Sequence, residues 1–197
     1  MQERLKLNSF QRKILIGTLL GDGCLISNAY GKNYRLQIEH MSKHKKYVDW
    51  KYKIFKNFCL SRPKFQQRTN SWKFRTISHP DFTKFREMFY WNGRKILPIE
   101  ISKILTSPII LAVWFMDDGA LGPGQGRKGL TFNTQNFSRE ENEKLRDLLK
   151  NKFLLKTSLH KDKTSWRIYI FPRSVPRFKK LVIKLIFKEF KYKFLTS

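Results

Sequence analysis

Apolar positions along the chain pass from helical spacing to strand-like alternation and back, and the second half of the chain repeats the cycle of the first. Leu15 to Gly23, LIGTLLGDG, and Leu111 to Gly119, LAVWFMDDG, are apolar runs of helical length that close on an Asp-Gly step. Each predicts a buried helix, ended by glycine, whose last turn presents a carboxylate. Between them the pattern predicts a helix over Phe10 to Gly21 capped by Ser9, and a hairpin of Cys24 to Ala29 with Tyr34 to His40 around Asn28-Ala-Tyr-Gly-Lys. A helix over about His44 to Leu60 follows, burying Tyr47, Val48, Phe55 and Phe58. Then come the hairpin PKFQQR/SWKFRTIS, turning at Thr69-Asn70, and a helix opened by Pro80-Asp81 that ends near Asn92-Gly93. In YRLQIEH the alternation is clean, with Leu36 and Ile38 inward and Arg35, Gln37 and Glu39 outward.

The second cycle starts at Ser107-Pro108, with proline at the favoured first helical position. Its glycine-rich loop ALGPGQGRKG has no GK[ST] step and no strand expected before it, so a hairpin tip is the better reading than a phosphate cradle. LTFNTQ reads as a strand, Ser138-Arg-Glu-Glu141 as a capping box opening a helix, LKTSLHK and SWRIYIF as a hairpin, and Val175 to Phe187 as a last helix. Landmarks keep register: Asp22 and Asp118 stand 96 positions apart, as do Ser42 and Ser138, and Ser71-Trp-Lys-Phe answers Ser165-Trp-Arg-Ile. The chain therefore reads as an internal duplication, with an N-terminal half at 1–98 and a C-terminal half at 99–197. Two related halves suit a target with two antiparallel strands.

Composition narrows the target. Lysine and arginine number 41 against 15 acidic residues, a formal charge of +26 that calls for a polyanion. The cations interleave with aromatic and aliphatic residues throughout, which favours a folded nucleic-acid surface over an electrostatic tail. No run reaches the roughly 20 apolar residues that span a bilayer, and the N-terminus lacks an apolar or transit-type leader, so no membrane partner is expected. Two cysteines without a CxxC give neither a disulfide framework nor a zinc site. His40 and His44 read as surface or phosphate-facing. Paired helix-end carboxylates on a protein of this charge suit Mg²⁺, which takes oxygen ligands and shares its shell with phosphate and water.

The whole chain resembles a LAGLIDADG homing endonuclease of the single-chain, two-motif kind. LIGTLLGDG and WFMDDG carry the resemblance, together with YRLQIEH, ISHPDFTKF, NGRKILP, FNTQNFS and the closing FKYKF. It implies an α+β fold of two pseudo-symmetric αββαββα halves, with curved antiparallel DNA-binding sheets and the two motif helices packed at the centre. It implies a monomer that hydrolyses one phosphodiester in each strand of double-stranded DNA with Mg²⁺, at sites that Mn²⁺ or Ca²⁺ can also occupy. Asp22 and Asp118 are then the metal-binding acids, the carbonyls of Gly21 and Asp117 further ligands, and Lys95 and Lys193 the assisting lysines. Asp117 adds a third carboxylate beside the site, which must be metal-bound, solvated or protonated.

Outward strand residues are the candidates for base contacts: Arg35, Gln37, Glu39, Lys64, Gln66, Arg68, Lys73 and Arg75 in one half, and Thr131, Asn133, Gln135, His160, Arg167 and Tyr169 in the other. These sets differ, so the expected target is long and asymmetric. An intron-RNA maturase and a non-cleaving DNA-binding relic are the competing functions. The lysine-, phenylalanine- and isoleucine-rich composition fits a protein encoded and used in an organelle, chloroplast or mitochondrion.

Overall fold

The computed structural model describes residues 5–28, 31–122 and 129–194. The chain forms two compact units, Met1–Met88 and Phe89–Ser197. The first contains α1 (Ser9–Leu20), β1 (Cys24–Ser27), β2 (Tyr34–Met41), α2 (Lys45–Phe55), β3 (Lys64–Gln66), β4 (Ser71–Arg75) and most of α3 (Pro80–Phe89). Its four strands form an antiparallel sheet in the order β1-β2-β4-β3. Leu36, Ile38 and Phe74 project from one face of that sheet into a core shared with Tyr47, Val48, Phe55, Phe58 and Phe82. Burying such side chains contributes about 1.5–3 kcal/mol each, and the aromatic ones interlock edge-on, Phe58 against Phe82 at 5.4 Å.

The second unit carries β5 (Tyr90–Trp91) and β6 (Arg94–Lys95), then α4 (Ile101–Ile104), α5 (Pro108–Asp118), β7 (Gly119–Leu121) and β8 (Leu130–Phe132). It continues through α6 (Arg139–Phe153), β9 (Thr157–Asp162), β10 (Ser165–Ile170) and α7 (Val175–Val182). Its main sheet runs β7-β8-β10-β9, the strand order of the first sheet repeated. Phe115, Phe132 and Phe178 meet in its core at centroid distances of 5.0–5.8 Å. The duplication read from the sequence is thus a duplication of topology.

Several local expectations change. The first helix is capped by Asn8, whose side chain accepts from the Gln11 N–H while the Gln11 side chain accepts from the Asn8 N–H. This reciprocal box satisfies two of the helix's unpaired donors, and it moves the start one residue before the expected Ser9 cap. The second helix is α-helical only over Lys45–Phe55, flanked by 3-10 turns at Ser42–His44 and Lys56–Phe58. Asn92 and Gly93 do more than end a helix. Both have positive φ, 48° and 78°, the backbone of a tight hairpin turn, and they join β5 to β6. A short strand, β7, does precede the glycine-rich loop, whose residues 123–128 lie outside the described residues, as do 29–30 of the first hairpin turn. The strand expected at LTFNTQ stops at Phe132, and the last helix stops at Val182, leaving Leu185 exposed. The Ser138–Glu141 capping box forms as expected. Its Glu141 carboxylate also accepts the Leu97 N–H at 2.6 Å, fastening the segment before α4 to the start of α6.

Candidate cation-binding acids and nucleic-acid interface

The two motif helices are built alike. Ile14 to Leu20 in α1 and Ile110 to Met116 in α5 are buried without a break, as a helix apolar on every face must be. Their glycines do not supply a left-handed cap, since φ is −102° at Gly21 and −76° at Gly119. They supply room. A Cβ on Gly23 would collide with the Thr18 side chain and stand 3.0 Å from its carbonyl, and one on Gly119 would drive into the ring and carbonyl of Phe115. The residue after each aspartate must therefore be glycine for the chain to fold back over the final helical turn and enter its sheet. That sharp exit leaves Asp22 just past α1 and Asp118 as the last residue of α5.

Around Asp22 the structure gathers residues that the sequence did not place there. Its side chain is 47% exposed, with Oδ2 lying 3.7 Å from His40 Nδ1. His40 shares a sheet face with Ile38 and Leu36, so its ring projects toward α2 rather than outward. It packs on Tyr47 at 5.1 Å, and its Nε2 lies 3.4 Å from Nζ of Lys51. Lys51 is fully buried, with its ammonium 4.4 Å above the Tyr47 ring. His44 is buried too. Of the surface or phosphate-facing reading, the surface part does not hold for either histidine: strand parity puts His40 on the core side, beside Asp22, and His44 is buried in the 3-10 turn. A signal for Lys51 was present, because it interrupts the buried stripe Tyr47, Val48, Phe55 at a position where helical spacing demands an apolar residue.

At the end of α5, Asp117 and Asp118 are partly exposed, and the Asp118 carbonyl accepts the Asn133 N–H at 2.9 Å. Lys193, 8% exposed, brings Nζ to the carbonyls of Phe115 (3.3 Å), Met116 (2.7 Å) and Asp117 (3.4 Å). A cation at these last-turn carbonyls complements the negative end of the helix. Sequence spacing could not reveal this, since Lys193 is one lysine among many and lies 77 residues beyond Met116. Lys95 sits half-buried on β6, opposite Tyr90. Each helix end by itself offers carboxylate and carbonyl oxygens, the ligand type that a hard divalent cation takes.

The outward face of the first sheet is polar and internally paired. Register places Arg35, Gln37 and Glu39 of β2 on one face with Lys73 and Arg75 of β4 and with Lys64 and Gln66 of β3. Arg75 donates to Gln37 at 2.8 Å. Glu39 accepts from Ser71 (2.6 Å) and Thr69 (3.0 Å) and pairs with Lys73 at 3.1 Å. These contacts, Ser71 foremost, hold its carboxyl below the ordinary value. Arg68 is exposed in the turn, while the Arg35 Nε is buried with no hydrogen-bond partner among the described residues.

In the second sheet, Arg167 faces His160, and Tyr169 lies between Thr131 and Ser158 on the same face. Tyr169 stacks on His160 at 4.6 Å and lies against Gly122 and Gly129, where any Cβ would clash with its ring. Thr131 is only 4% exposed. Asn133 and Gln135 follow the end of β8, and Gln135 joins Arg167 in donating to Asp162 at 3.2 and 3.0 Å. Those hydrogen bonds, Gln135 first, keep the Asp162 carboxyl below its usual range.

A family model described as the LAGLIDADG DNA endonuclease family matches residues 12–178. A probable intron-encoded endonuclease 1 of Wickerhamomyces canadensis is 32% identical over 201 residues, covering 97% of this chain and 86% of the relative. The cytochrome b mRNA maturase bI2 of Debaryomyces hansenii is 31% identical over 193 residues, covering 92% and 72%. The solved structure of the homing endonuclease I-WcaI bound to its DNA recognition sequence superposes with a TM-score of 0.87 at 30% identity, over 98% of this chain and 89% of that one. I-DmoI in complex with DNA and Mn, at 17% identity and a TM-score of 0.61, shares the fold.

Proposed function

We propose a mechanism from one premise: this chain belongs to the LAGLIDADG DNA endonuclease family, and it is a site-specific DNA endonuclease. The observation that carries the mechanism is the repeated helix end, an acid followed by an obligatory glycine, feeding two sheets of identical strand order. Asp22 and Asp118 are the proposed cation-holding carboxylates, with the carbonyls of Gly21 and Asp117 beside them, one set in each of the halves 1–98 and 99–197. A divalent cation, Mg²⁺ in this reading, supplies an activated water and offsets charge on the leaving oxygen when bound. Lys193 holds the Asp117 carbonyl in place, and with Lys95 it brings positive charge toward the scissile phosphate, whose oxygens gain negative charge as water adds to phosphorus and the bond to the leaving oxygen breaks. Arg35, Gln37, Lys64, Gln66, Arg68, Lys73 and Arg75 read base edges in one half-site with Glu39. His160, Arg167, Tyr169, Asn133 and Gln135 serve the other; Thr131, expected outward, is buried beside Tyr169 and is not among them.

The test is a plasmid carrying the uninterrupted host-gene sequence. Wild-type protein with Mg²⁺ linearises it, whereas Asp22→Asn and Asp118→Asn retain DNA binding but lose linear product. Cleavage that survives both substitutions refutes the assignment. Similarity to an mRNA maturase favours a second reading, in which intron RNA is bound by the same protein; selective retention of that intron RNA without cutting of the plasmid supports it. An organellar genome is the proposed home of the gene, and a monomer the proposed form. Among the described residues no helix is long and apolar enough to cross a membrane.

A further inference from the structure

We propose that Lys51 is a positioning residue for the Asp22 half of the reaction: from beneath the site it donates into His40 Nε2, which puts the imidazole proton on Nδ1, facing the Asp22 carboxylate. The inference rests on the reading of Asp22 as a cation-holding acid.

Lys51 occupies an apolar position of α2 and is fully buried there. Methionine would fill the same space without taking a charge out of water, so packing does not explain a lysine. Its partners do. The ammonium lies over the Tyr47 ring at 4.4 Å and beside His40 Nε2 at 3.4 Å. An ammonium has three donors and no acceptor, so His40 must meet it with a lone pair on Nε2. A neutral imidazole that accepts at Nε2 carries its hydrogen on Nδ1. That nitrogen lies 3.7 Å from Asp22 Oδ2, a separation that a small side-chain rotation or one bridging water closes. The ring thus serves as a donor that orients Asp22, and its Nδ1 has no lone pair to offer a cation. Buried groups of this kind, behind the ligand rather than on the metal, fix ligand orientation at many metal sites. The device belongs to the first half alone. Ninety-six positions after His40 and Lys51 stand Asn136 and Asp147, both exposed.

Long-range proton–nitrogen spectra of the ¹⁵N-labelled, metal-free intact protein at pH 8 read the tautomer directly, with the His40 signals identified by their loss in His40→Gln. The wild type is expected to show His40 protonated on Nδ1, the tautomer that free histidine disfavours. Lys51→Met is expected to release the ring to the Nε2-protonated form, and Lys51→Arg, which like lysine offers donors and no acceptor, to keep Nδ1. Plasmid cleavage by Lys51→Met at saturating DNA should fall about 10–100-fold with DNA affinity unchanged. A wild-type His40 protonated on Nε2 overturns the proposal, as does a folded Lys51→Met with unchanged tautomer and rate. If Lys51→Met does not fold, the wild-type tautomer decides. If the wild type cuts nothing, the nuclease reading fails while the spectra still judge the Lys51–His40 bond.

Discussion

Glu39 shows how one side chain ties stability to pH. Its carboxyl titrates below the ordinary value because Ser71, Lys73 and Thr69 all favour the anion. A group with a depressed folded-state value stabilises the protein above its unfolded value, about 4.3 for Glu, and loses that contribution as pH falls through the folded one. Thermal melts of wild type and Glu39→Gln should therefore differ at pH 7, draw together as pH falls below about 4.3, and coincide only below the depressed folded-state value. Cys59 behaves oppositely. Burial pushes its thiol up to about 12, and its Sγ donates to the Phe55 carbonyl at 3.3 Å. The thiolate is the reactive form, so native protein treated with iodoacetamide at pH 8 should leave Cys59 unmodified, while urea-unfolded protein is labelled there. The glycines after the two acids are equally specific. Gly119→Ala should lower stability by about 1–3 kcal/mol through overpacking, measured by denaturant melts, because the Phe115 carbonyl cannot move aside without breaking the cap.

Elements were legible where a local rule sufficed. Alternation at YRLQIEH placed the faces of β2, and the Ser138–Glu141 box placed the start of α6. Ser138→Ala should cost about 1 kcal/mol in a denaturant melt, since it strands the Glu141 N–H while leaving the backbone bonds to the Glu141 carboxylate in place. Where two rules competed, the sequence was ambiguous. Ser9 and Asn8 are both good caps, and only the Gln11 side chain, three residues beyond Asn8, settles which one closes the box. Asn92-Gly93 satisfies a helix-end pattern and a hairpin pattern equally well; pairing of residues 90–91 with 94–95 decided for the hairpin. Of the proposed site, the repeating acids stand out in the sequence and their surroundings do not. His40 and Lys51 stand at inward positions of β2 and α2, but only the packing of the two elements shows that they meet, and Lys193 finds α5 only through the tertiary fold.

At the scale of the whole molecule, the excess of cations sets how the protein meets its target. Lysines and arginines that neutralise phosphates release counterions, so log K should fall linearly with log salt, by about 0.9 per phosphate contacted. Fluorescence anisotropy with a duplex target between 50 and 200 mM salt should show a loss of at least about a thousandfold, the expectation for six or more contacts; a flat response would speak against DNA as the ligand. The strand faces carry a different lesson. Gln37 with Arg75, Glu39 with Lys73, and Asp162 with Gln135 and Arg167 already satisfy one another in the free protein. A duplex must out-compete these bonds, and only a sequence offering equivalent partners can do so at no net loss. Retargeting the enzyme one residue at a time would leave the abandoned member of each couplet to seek a new base by itself. Libraries that vary the couplets jointly should yield altered specificities that single-position libraries miss.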